Sequence, residues 1–206
     1  MAEKIKAVSS ISINKNIKKK IDIVLLGAST GGPKVLYDLI TSLPGDLNVP
    51  IAVVQHMPAE FTKAFADRID KNSNLRVKEA EDGEKLLKNI VYIAPGGYHM
   101  TITQNTIKLD TTPLIHGVRP AVDKLFMSAA DCYNGNILSC IFTGMGHDGA
   151  EGVKKIKSKG GYVLCQDEMT SVIYGMPKAA FETGCVDMML PDYKFKDEIV
   201  RIVRGL

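Results

Sequence analysis

Ser29 lies in the glycine-rich segment GASTGG, directly after a run of apolar residues. The segment matches the pattern G-x-S-x-G, in which a sharp turn from strand to helix exposes a serine hydroxyl. The helix that follows such a turn presents N–H groups and the positive end of its dipole, and both favour an oxyanion. Ser29 is therefore a candidate nucleophile.

Two other interpretations of GASTGG remain open at this point. The loop could cradle a phosphate, as in a nucleotide-binding module, or Ser29 could merely cap the helix that begins near Pro33. A Walker loop is excluded because no G-K-[ST] follows, and the dinucleotide fingerprint G-x-G-x-x-G is absent. The five-residue pattern alone does not separate a nucleophile from these alternatives.

A serine hydroxyl becomes an effective nucleophile only when a base takes its proton, so the four histidines matter. His56 directly follows the apolar segment PIAVVQ and comes one strand–helix unit after Ser29, which makes it the leading base. The other histidines are expected at the rim of the site or in contact with substrate (His99), at the surface or rim (His116), and beside the candidate acid but facing away from it (His147).

Asp148 is the candidate acid, because a neutral imidazole needs a buried acceptor that fixes its tautomer and stabilises the imidazolium. It could also cap the helix predicted from GAEGVKKIKSK, and both roles are compatible. The preceding TGMG lets backbone amides approach a ligand, and the Met145 amide is a plausible oxyanion donor. The order Ser-His-Asp differs from the Ser-Asp-His order of α/β-hydrolases, so we do not expect that fold.

These residues need a scaffold, and alternating apolar and amphipathic segments indicate its type. Continuous runs rich in Ile and Val are typical of parallel strands buried on both faces, and they occur at 21–27, 50–55, 89–94, 137–142, 162–166 and 186–190. Helices are predicted at 33–42, 59–71, 120–133, 148–158, 177–183 and 192–204. Residues 99–110 alternate around Gln104-Asn105 and predict an antiparallel hairpin.

This alternation predicts an α/β fold with a doubly wound, mostly parallel sheet that has helices on both faces. Sites in such sheets form beyond the carboxyl ends of the strands. Because Ser29, His56 and Asp148 each follow a predicted strand, we expect them to meet at one edge of the sheet.

Charge is distributed unevenly along the chain. Residues 1–20 hold six Lys and one Glu, a net charge of +5, which leaves −2 for residues 21–206 out of the total of +3. We therefore expect a flexible Lys-rich tail or linker remnant at 1–20 and one folded domain at 21–206. The chain has no Trp and the folded part is not basic, so a nucleic-acid surface is not expected.

Localisation and redox chemistry follow from what the sequence lacks. No apolar run reaches the length of a membrane span, and the N-terminus has no apolar signal block, so we expect a cytoplasmic protein without membrane insertion. The four Cys form no C-x-x-C pair, and Cys140 and Cys165 lie in apolar runs, where we expect buried thiols. The chemistry considered above needs no metal and no cofactor.

Six blocks of sequence, in order along residues 21–206, carry a resemblance to a known family. They are GASTGGP (27–33), VQHMPAEFT (54–62), APGGYHM (94–100), GVRPAVDKLFMSAA (117–130), TGMGHDGAEG (143–152) and QDEMTSVIYGMPKAA (166–180). Through them the chain resembles the catalytic domain of the bacterial chemotaxis protein-glutamate methylesterase (CheB) family. Each block alone is a weak signal, but the set is specific.

The resemblance implies a serine hydrolase that cleaves glutamate methyl esters on the cytoplasmic helices of chemoreceptors, releases methanol and serves chemotactic adaptation. Some members of the family also deamidate receptor glutamines. Carried over to this sequence, the nucleophile is Ser29, the base His56 and the acid Asp148, with support from Thr30 and the Met145 amide. The alternative from another class is a nucleotide- or phosphate-binding module that uses the GASTGG loop.

Two features depart from the family pattern. Members commonly carry an N-terminal receiver domain whose phosphorylation relieves inhibition, and a short Lys-rich segment stands in its place here. Either the sequence is the catalytic part of a longer protein, or it is a standalone esterase with different regulation. The block around the acid often reads GMGNDGA in the family, whereas this chain has His147 in place of the Asn.

Overall fold

The structure is a computed structural model that describes residues 20–206, so the predicted tail at 1–20 lies outside the described residues except for Lys20. The strands are β1 Ile23–Ala28, β2 Ile51–Gln55, β3 Arg76–Glu79, β4 Ile90–Ile93, β5 His99–Thr103, β6 Thr106–Asp110, β7 Ile137–Ile141, β8 Tyr162–Gln166 and β9 Met188–Leu190. The helices are α1 Gly32–Ser42, α2 Ala59–Asp70, α3 Val122–Cys132, α4 Ala150–Ser158, α5 Met176–Glu182 and α6 Phe195–Arg204, the last preceded by a 3-10 turn at Asp192–Lys194.

The strands form one parallel sheet and one antiparallel hairpin, as the sequence predicts. The sheet has seven strands in the order β3-β4-β2-β1-β7-β8-β9, and β5 and β6 form the hairpin. Gln104 and Asn105 connect the hairpin with positive φ angles of 50° and 61°, which suits a two-residue turn. The α/β prediction is confirmed, and the six predicted sheet strands are all present.

Strand β3 is the element that the sequence pattern did not predict. It reads RVKE, and only Val77 of its four residues is buried. As the edge strand of the sheet it has polar side chains on both sides of that valine, so it lacks the apolar run by which the other strands were recognised.

Helices cover both faces of the sheet and bury its alternating side chains. On one face, residues such as Val24 and Leu26 of β1 pack in a core with helices α1, α2 and α6. On the other face, Ile23 and Leu25 pack with α3, α4, α5 and the hairpin. Burying one such aliphatic side chain stabilises the fold by about 1.5–3 kcal/mol. The two cores together make the central strands rigid supports for the loops at their ends.

Strand β1 lies at the centre of the sheet, and its neighbours bring distant loops to the same edge. Ala28 pairs with Gln55 of β2, and Gly27 pairs with Ile141 of β7, all in parallel register. The loops that begin at residues 29, 56 and 142 therefore leave the sheet side by side. A side chain at Gly27 would collide with Val122, since a Cβ there would lie 2.5 Å from Val122 Cγ1. This close approach brings the start of α3 to the same edge.

Cys140 and Cys165 are buried thiols, as the sequence predicts. Both are fully buried within the sheet, and the four cysteines of residues 20–206 are free. Every helix in this part of the chain is too short or too polar to span a bilayer.

Candidate active site

Ser29 occupies a strand–turn–helix junction of the predicted kind. Its N–H donates to the carbonyl of Thr143 at 3.0 Å, which continues the pairing of β1 with β7 past the end of the strand. The Gly32 N–H donates to the Ser29 carbonyl at 2.8 Å and closes the turn. Gly31, with φ at 86°, is the N-cap of α1, so Ser29 does not cap that helix. The hydroxyl of Ser29 makes no hydrogen bond to any residue between 20 and 206.

His56 and Asp148 meet at the edge of the sheet, 92 residues apart in the chain. Nε2 of His56 lies 2.7 Å from Oδ2 of Asp148, and the two side chains are 11% and 2% exposed. The His56 N–H donates to the Ala28 carbonyl at 3.1 Å, so the base is fixed to the end of the strand that carries the serine. Ser29 and His56 line one cleft, although no hydrogen bond joins their side chains in the described residues.

The N-terminus of helix α3 holds the carboxylate of Asp148. The N–H of Val122 donates to Oδ2 at 2.6 Å and the N–H of Asp123 donates to Oδ1 at 2.9 Å. Burial opposes the charge, but the hydrogen bonds from His56 and from these two amides outweigh it and hold the pKa of Asp148 below its ordinary value. Asp148 is thus a charged acceptor for the imidazole.

The capping role proposed for Asp148 needs a correction. Helix α4 begins after Gly149, which has φ at 98° and is the N-cap without a side-chain hydrogen bond. Asp148 therefore caps α3, a neighbouring helix, and not the helix that follows it in the chain. The N-cap of α3 is Ala121, which has no side-chain acceptor of its own, so the carboxylate supplies what the local sequence lacks.

Helix α4 receives a carboxylate in return. Oδ1 of Asp123 accepts the Gly152 N–H at 2.7 Å, and Oδ2 lies 2.9 Å from Nε2 of His116. Asp148, which lies just before α4, thus accepts amides at the start of α3, and Asp123, which lies in α3, accepts an amide in the first turn of α4. Burial raises the pKa of Asp123, and the nearby charge of Asp148 raises it further, while the hydrogen bonds from Gly152 and His116 only partly compensate.

The three remaining histidines are placed differently from one another. His116 is exposed apart from its contact with Asp123, and its ring meets that of His147 edge-on, with centroids 4.3 Å apart. The surface or rim position expected for His116 agrees with this. The rim position expected for His99 is wrong: its side chain is fully buried, and Nε2 lies 3.1 Å from the Pro113 carbonyl.

Gln55 is a site residue that the sequence analysis missed. Its side-chain Nε2 donates to the carbonyl of Ser29 at 3.0 Å and to that of His56 at 2.9 Å. The side chain thus ties the backbone of the candidate nucleophile to that of the candidate base. A polar residue at the end of the otherwise apolar segment PIAVVQ was the available signal.

The loop after β7 is held against Ser29 by buried polar groups. Oγ1 of Thr143 donates to the Thr30 carbonyl at 2.9 Å, and the Thr143 N–H donates to Oε1 of Gln166 at 2.8 Å. Gly144 approaches so closely that a Cβ there would lie 2.7 Å from the Cβ of Ser29. Met145, next in the loop, is 73% exposed, and its N–H has no acceptor among residues 20–206.

An open cleft of about 560 Å³ extends from Ser29 and His56 along helix α2. Its walls combine polar and apolar groups, and the lining residues include Thr30, Gln55, Phe61, Phe65 and Arg68. Phe61 is exposed, so part of the apolar wall faces solvent. A half-buried hydroxyl, a His–Asp pair and a free backbone amide near such a cleft are the groups needed for acyl transfer.

Comparisons with known proteins agree on one family. The family model described as CheB methylesterase matches residues 24–199. A protein-glutamate methylesterase/protein-glutamine glutaminase from Clostridium acetobutylicum is 57% identical over 194 residues, which are 94% of this chain and 56% of that protein. One of the same name from Pyrococcus horikoshii is 46% identical and is matched over 88% of this chain and 51% of its own length.

A solved structure, the CheB methylesterase catalytic domain of Thermotoga maritima, is similar throughout. Its sequence is 45% identical, the TM-score is 0.86, and the match covers 89% of this chain and 100% of that one. The chain spans about half the length of the two curated relatives named above.

Proposed function

The chain belongs to the CheB methylesterase family, and on this basis we propose that it hydrolyses glutamate methyl esters on chemoreceptors and releases methanol. The observation that carries the proposal is the His56–Asp148 pair, 2.7 Å apart, whose histidine lines the same cleft as Ser29. The substrate would be a side chain on the cytoplasmic helices of a receptor, which assigns the enzyme to the cytoplasm and to chemotactic adaptation.

In the first step, Ser29 Oγ attacks the ester carbonyl while His56 takes the hydroxyl proton. Since Nε2 of His56 faces Asp148, the proton goes to Nδ1, the other ring nitrogen. The charged carboxylate of Asp148 then stabilises the imidazolium. His56 gives the proton to the departing methoxide, so methanol leaves and a glutamyl ester of Ser29 remains.

The oxyanion of the tetrahedral intermediate needs preorganised donors. The Met145 N–H has no other acceptor in the described residues and lies one residue after Gly144, which contacts Ser29. We assign it to the oxyanion, with Thr30 as a supporting residue at the mouth of the cleft. In the second step, His56 removes a proton from water, which attacks the acyl-enzyme and releases the glutamate carboxylate and Ser29.

Deamidation of glutamine would use the same groups. The amide carbonyl replaces the ester carbonyl, and ammonia leaves in place of methanol after it receives the proton from His56. Both relatives named above carry the glutaminase activity in their names. We propose deamidation as a second reaction of the same acyl-enzyme.

The nucleotide- or phosphate-binding alternative has less support. A phosphate cradle needs backbone amides that point into the loop. In GASTGG, the Ser29 N–H donates to Thr143 and the Gly32 N–H donates to Ser29, so two of the amides are already occupied. The free hydroxyl beside His56 fits a nucleophile better.

A covalent probe separates these two functions. We expect a fluorophosphonate to label Ser29, and we expect Ser29→Ala and His56→Ala to lose labelling and methanol release from methylated receptor. Turnover at the wild-type rate in either variant would exclude the triad. An increase in melting temperature with nucleotide but no labelling would favour the alternative.

Regulation by a receiver domain is a separate proposal, since the matched relatives are about twice the length of the matched region. A phosphorylatable receiver domain would block the cleft and release it on phosphorylation. Methanol release measured with and without an added receiver domain tests this, and unchanged rates in both phosphorylation states would contradict it.

A further inference from the structure

A second group of titratable side chains lies directly behind the candidate active site. Ligand atoms of His116, Asp123 and Asp148 all lie within 4.8 Å of one another. The two carboxylates are buried, whereas His116 is open to solvent on its other side. We call these three residues the His–carboxylate cluster. Its role in the proposed hydrolysis is unassigned apart from that of Asp148.

His116 is held in place by an unusual backbone conformation. It forms a two-residue turn with Gly117, in which both φ angles are positive, at 52° and 77°. Ile115 and Val118 close the turn through two mutual backbone hydrogen bonds of 3.2 and 3.0 Å. A left-handed conformation is uncommon for a residue with a side chain and persists where the surroundings require it. The imidazole is therefore presented to Asp123 by a rigid support.

We propose that the His–carboxylate cluster binds a divalent transition-metal ion, preferably Zn²⁺, and that the ion inhibits ester hydrolysis. One imidazole nitrogen and two carboxylate oxygens are a donor set that suits Zn²⁺ and Co²⁺, whereas Mg²⁺ and Ca²⁺ prefer oxygen ligands alone. Carboxylate oxygens of Asp123 and Asp148 lie within 4.8 Å of each other, and a divalent cation between them would relieve the repulsion of their negative charges.

One pair of ligand atoms has nearly the spacing that such an ion needs, and the Asp148 oxygen, within 4.8 Å of both, would move toward them on binding. Nε2 of His116 and Oδ2 of Asp123 are 2.9 Å apart. Ligand atoms about 2.0–2.1 Å from a tetrahedral zinc ion lie about 3.3 Å from one another, so the pair needs to open by only a few tenths of an ångström. The ion would replace the hydrogen bond between the two residues and remove one proton from the site.

His147 stands beside the cluster and can complete it. Its ring lies against that of His116, and its side chain is exposed, so it can rotate without disturbing buried groups. As a fourth ligand it would close a tetrahedral site, and with water in that position the site would have three protein ligands. His147 also stands where the family block often has Asn, so this chain has one more imidazole at that place.

Inhibition follows from the shared ligand. Oδ2 of Asp148 is the partner of His56, and its other oxygen accepts a backbone amide. An ion bound to this carboxylate would withdraw the charge that orients and stabilises His56. This part of the inference rests on the proposed function, whereas binding of the ion does not.

Cobalt reports on binding without any need for activity. We expect Co²⁺ added to the whole chain to give visible absorption bands of a tetrahedral N/O site, and Zn²⁺ to displace them. His116→Gln should weaken Co²⁺ binding by about 100-fold or more, and His147→Asn by about 10–100-fold. Ser29→Ala should bind like the wild type, because Ser29 is not a ligand.

His56→Gln locates the ion. If His56→Gln abolishes the cobalt bands while His116→Gln keeps them, the ion sits on the catalytic histidine and the proposal is wrong. If the wild type gives no bands at all, the proposal is also wrong, and methanol release by the same sample shows that the proposed function is unaffected.

Methanol release measured against Zn²⁺ concentration then tests the inhibition. We expect the wild type to lose at least about 90% of its turnover at saturating Zn²⁺ and to recover it with EDTA. His116→Gln should keep basal turnover within about threefold, and the Zn²⁺ concentration for half-inhibition should rise by about 100-fold. Equal sensitivity of this variant and the wild type would overturn the link between the cluster and inhibition.

Discussion

Two His–Asp pairs lie a few ångströms apart at the sheet edge, and their similar contacts contrast with the different shifts of their carboxylate pKa values. His56–Asp148 and His116–Asp123 both join Nε2 of the imidazole to Oδ2 of a buried carboxylate, at 2.7 and 2.9 Å. In both pairs a helix N-terminus donates a backbone N–H to the carboxylate. The two carboxylates are nevertheless shifted in opposite directions, because the pKa of Asp148 is lowered and that of Asp123 is raised.

The opposite pKa shifts of the two carboxylates follow from the number of hydrogen bonds that each accepts, and the pairs also differ in the groups that surround each histidine. Asp148 accepts two backbone amides in addition to His56, whereas Asp123 accepts one in addition to His116. His56 shares a cleft with Ser29, while the ring of His116 faces His147 and solvent. A buried His–Asp contact is therefore not evidence of catalysis by itself. The nucleophile beside it and the donors behind it decide what the pair can do.

Removal of the imidazoles should give the largest difference between the pairs. We expect His56→Gln to lower kcat for methanol release by about 10⁴-fold or more, as for other triads, because Ser29 loses its base. His116→Gln, in the absence of metal, should change kcat by less than about threefold, because it removes no group that contacts substrate. Loss of activity in both variants to a similar degree would show that the pairs act as one unit.

Substitution of the carboxylates should give a smaller difference in kcat between the two pairs. Asp148→Asn should lower kcat by about 10³–10⁴-fold, since an amide cannot stabilise the imidazolium or fix its tautomer. In Asp123→Asn the amide oxygen still accepts the Gly152 N–H, so kcat should fall by less than about tenfold. KM should remain near that of the wild type in both variants, which a full rate profile against substrate concentration would check.

Gln55 sharpens the comparison, because only the first pair has a side chain that ties its histidine to the serine. Gln55→Met keeps the length of the side chain but removes the donor to the carbonyls of Ser29 and His56. We expect kcat to fall by about 10–100-fold with little change in KM, since a small displacement of the reacting groups is costly. If Gln55→Met unfolds the protein, Gln55→Asn provides a milder test, and wild-type kcat in a folded variant would contradict this role.

The smallest effect should be on stability, and it should have opposite signs in the two pairs. The pKa of Asp148 is lowered on folding, so its charged form stabilises the protein above the unfolded pKa of about 4, and this contribution is lost as the pH falls through the folded pKa. The pKa of Asp123 is raised, so its contribution is present below about pH 4 and is lost as the pH rises through the folded pKa.

Urea unfolding at several pH values measures both contributions. The free energy of unfolding that Asp148→Asn loses relative to the wild type should shrink on acidification. The loss caused by Asp123→Asn should shrink as the pH rises. The same slope for both variants would show that the two carboxylates experience similar surroundings, which would refute the comparison.

Much of this arrangement could be predicted from sequence because parallel strands impose it. Apolar runs located six strands of the sheet, and the edge at their carboxyl ends brings Ser29 and His56 into one cleft. Asp148 could be expected there for the same reason, and its contact with His56 agrees. The roles of these residues, and those of Thr30 and Met145, stay predictions for the experiments above.

Other features could not be predicted from the sequence because they depend on contacts between residues that are distant in the chain. The amides of Val122 and Asp123 reach Asp148 over 26 and 25 residues, and no local pattern marks a cap supplied from such a distance. The burial of His99 depends on how the hairpin packs on the sheet, whereas its sequence position suggested only a loop end. Gln55 could be recognised as polar, but its two acceptors could not be.

Helices α3 and α4 cannot detach from the sheet separately without leaving a buried carboxylate short of its donors. The amides of Val122, Asp123 and Gly152 should therefore exchange hydrogen with solvent through one cooperative opening, at a common free energy. That opening also takes the acceptor away from His56. The fraction of molecules in the open state, from which these amides exchange, would then equal the fraction that is catalytically incompetent. Hydrogen exchange would therefore measure the catalytically competent fraction of the enzyme without any substrate.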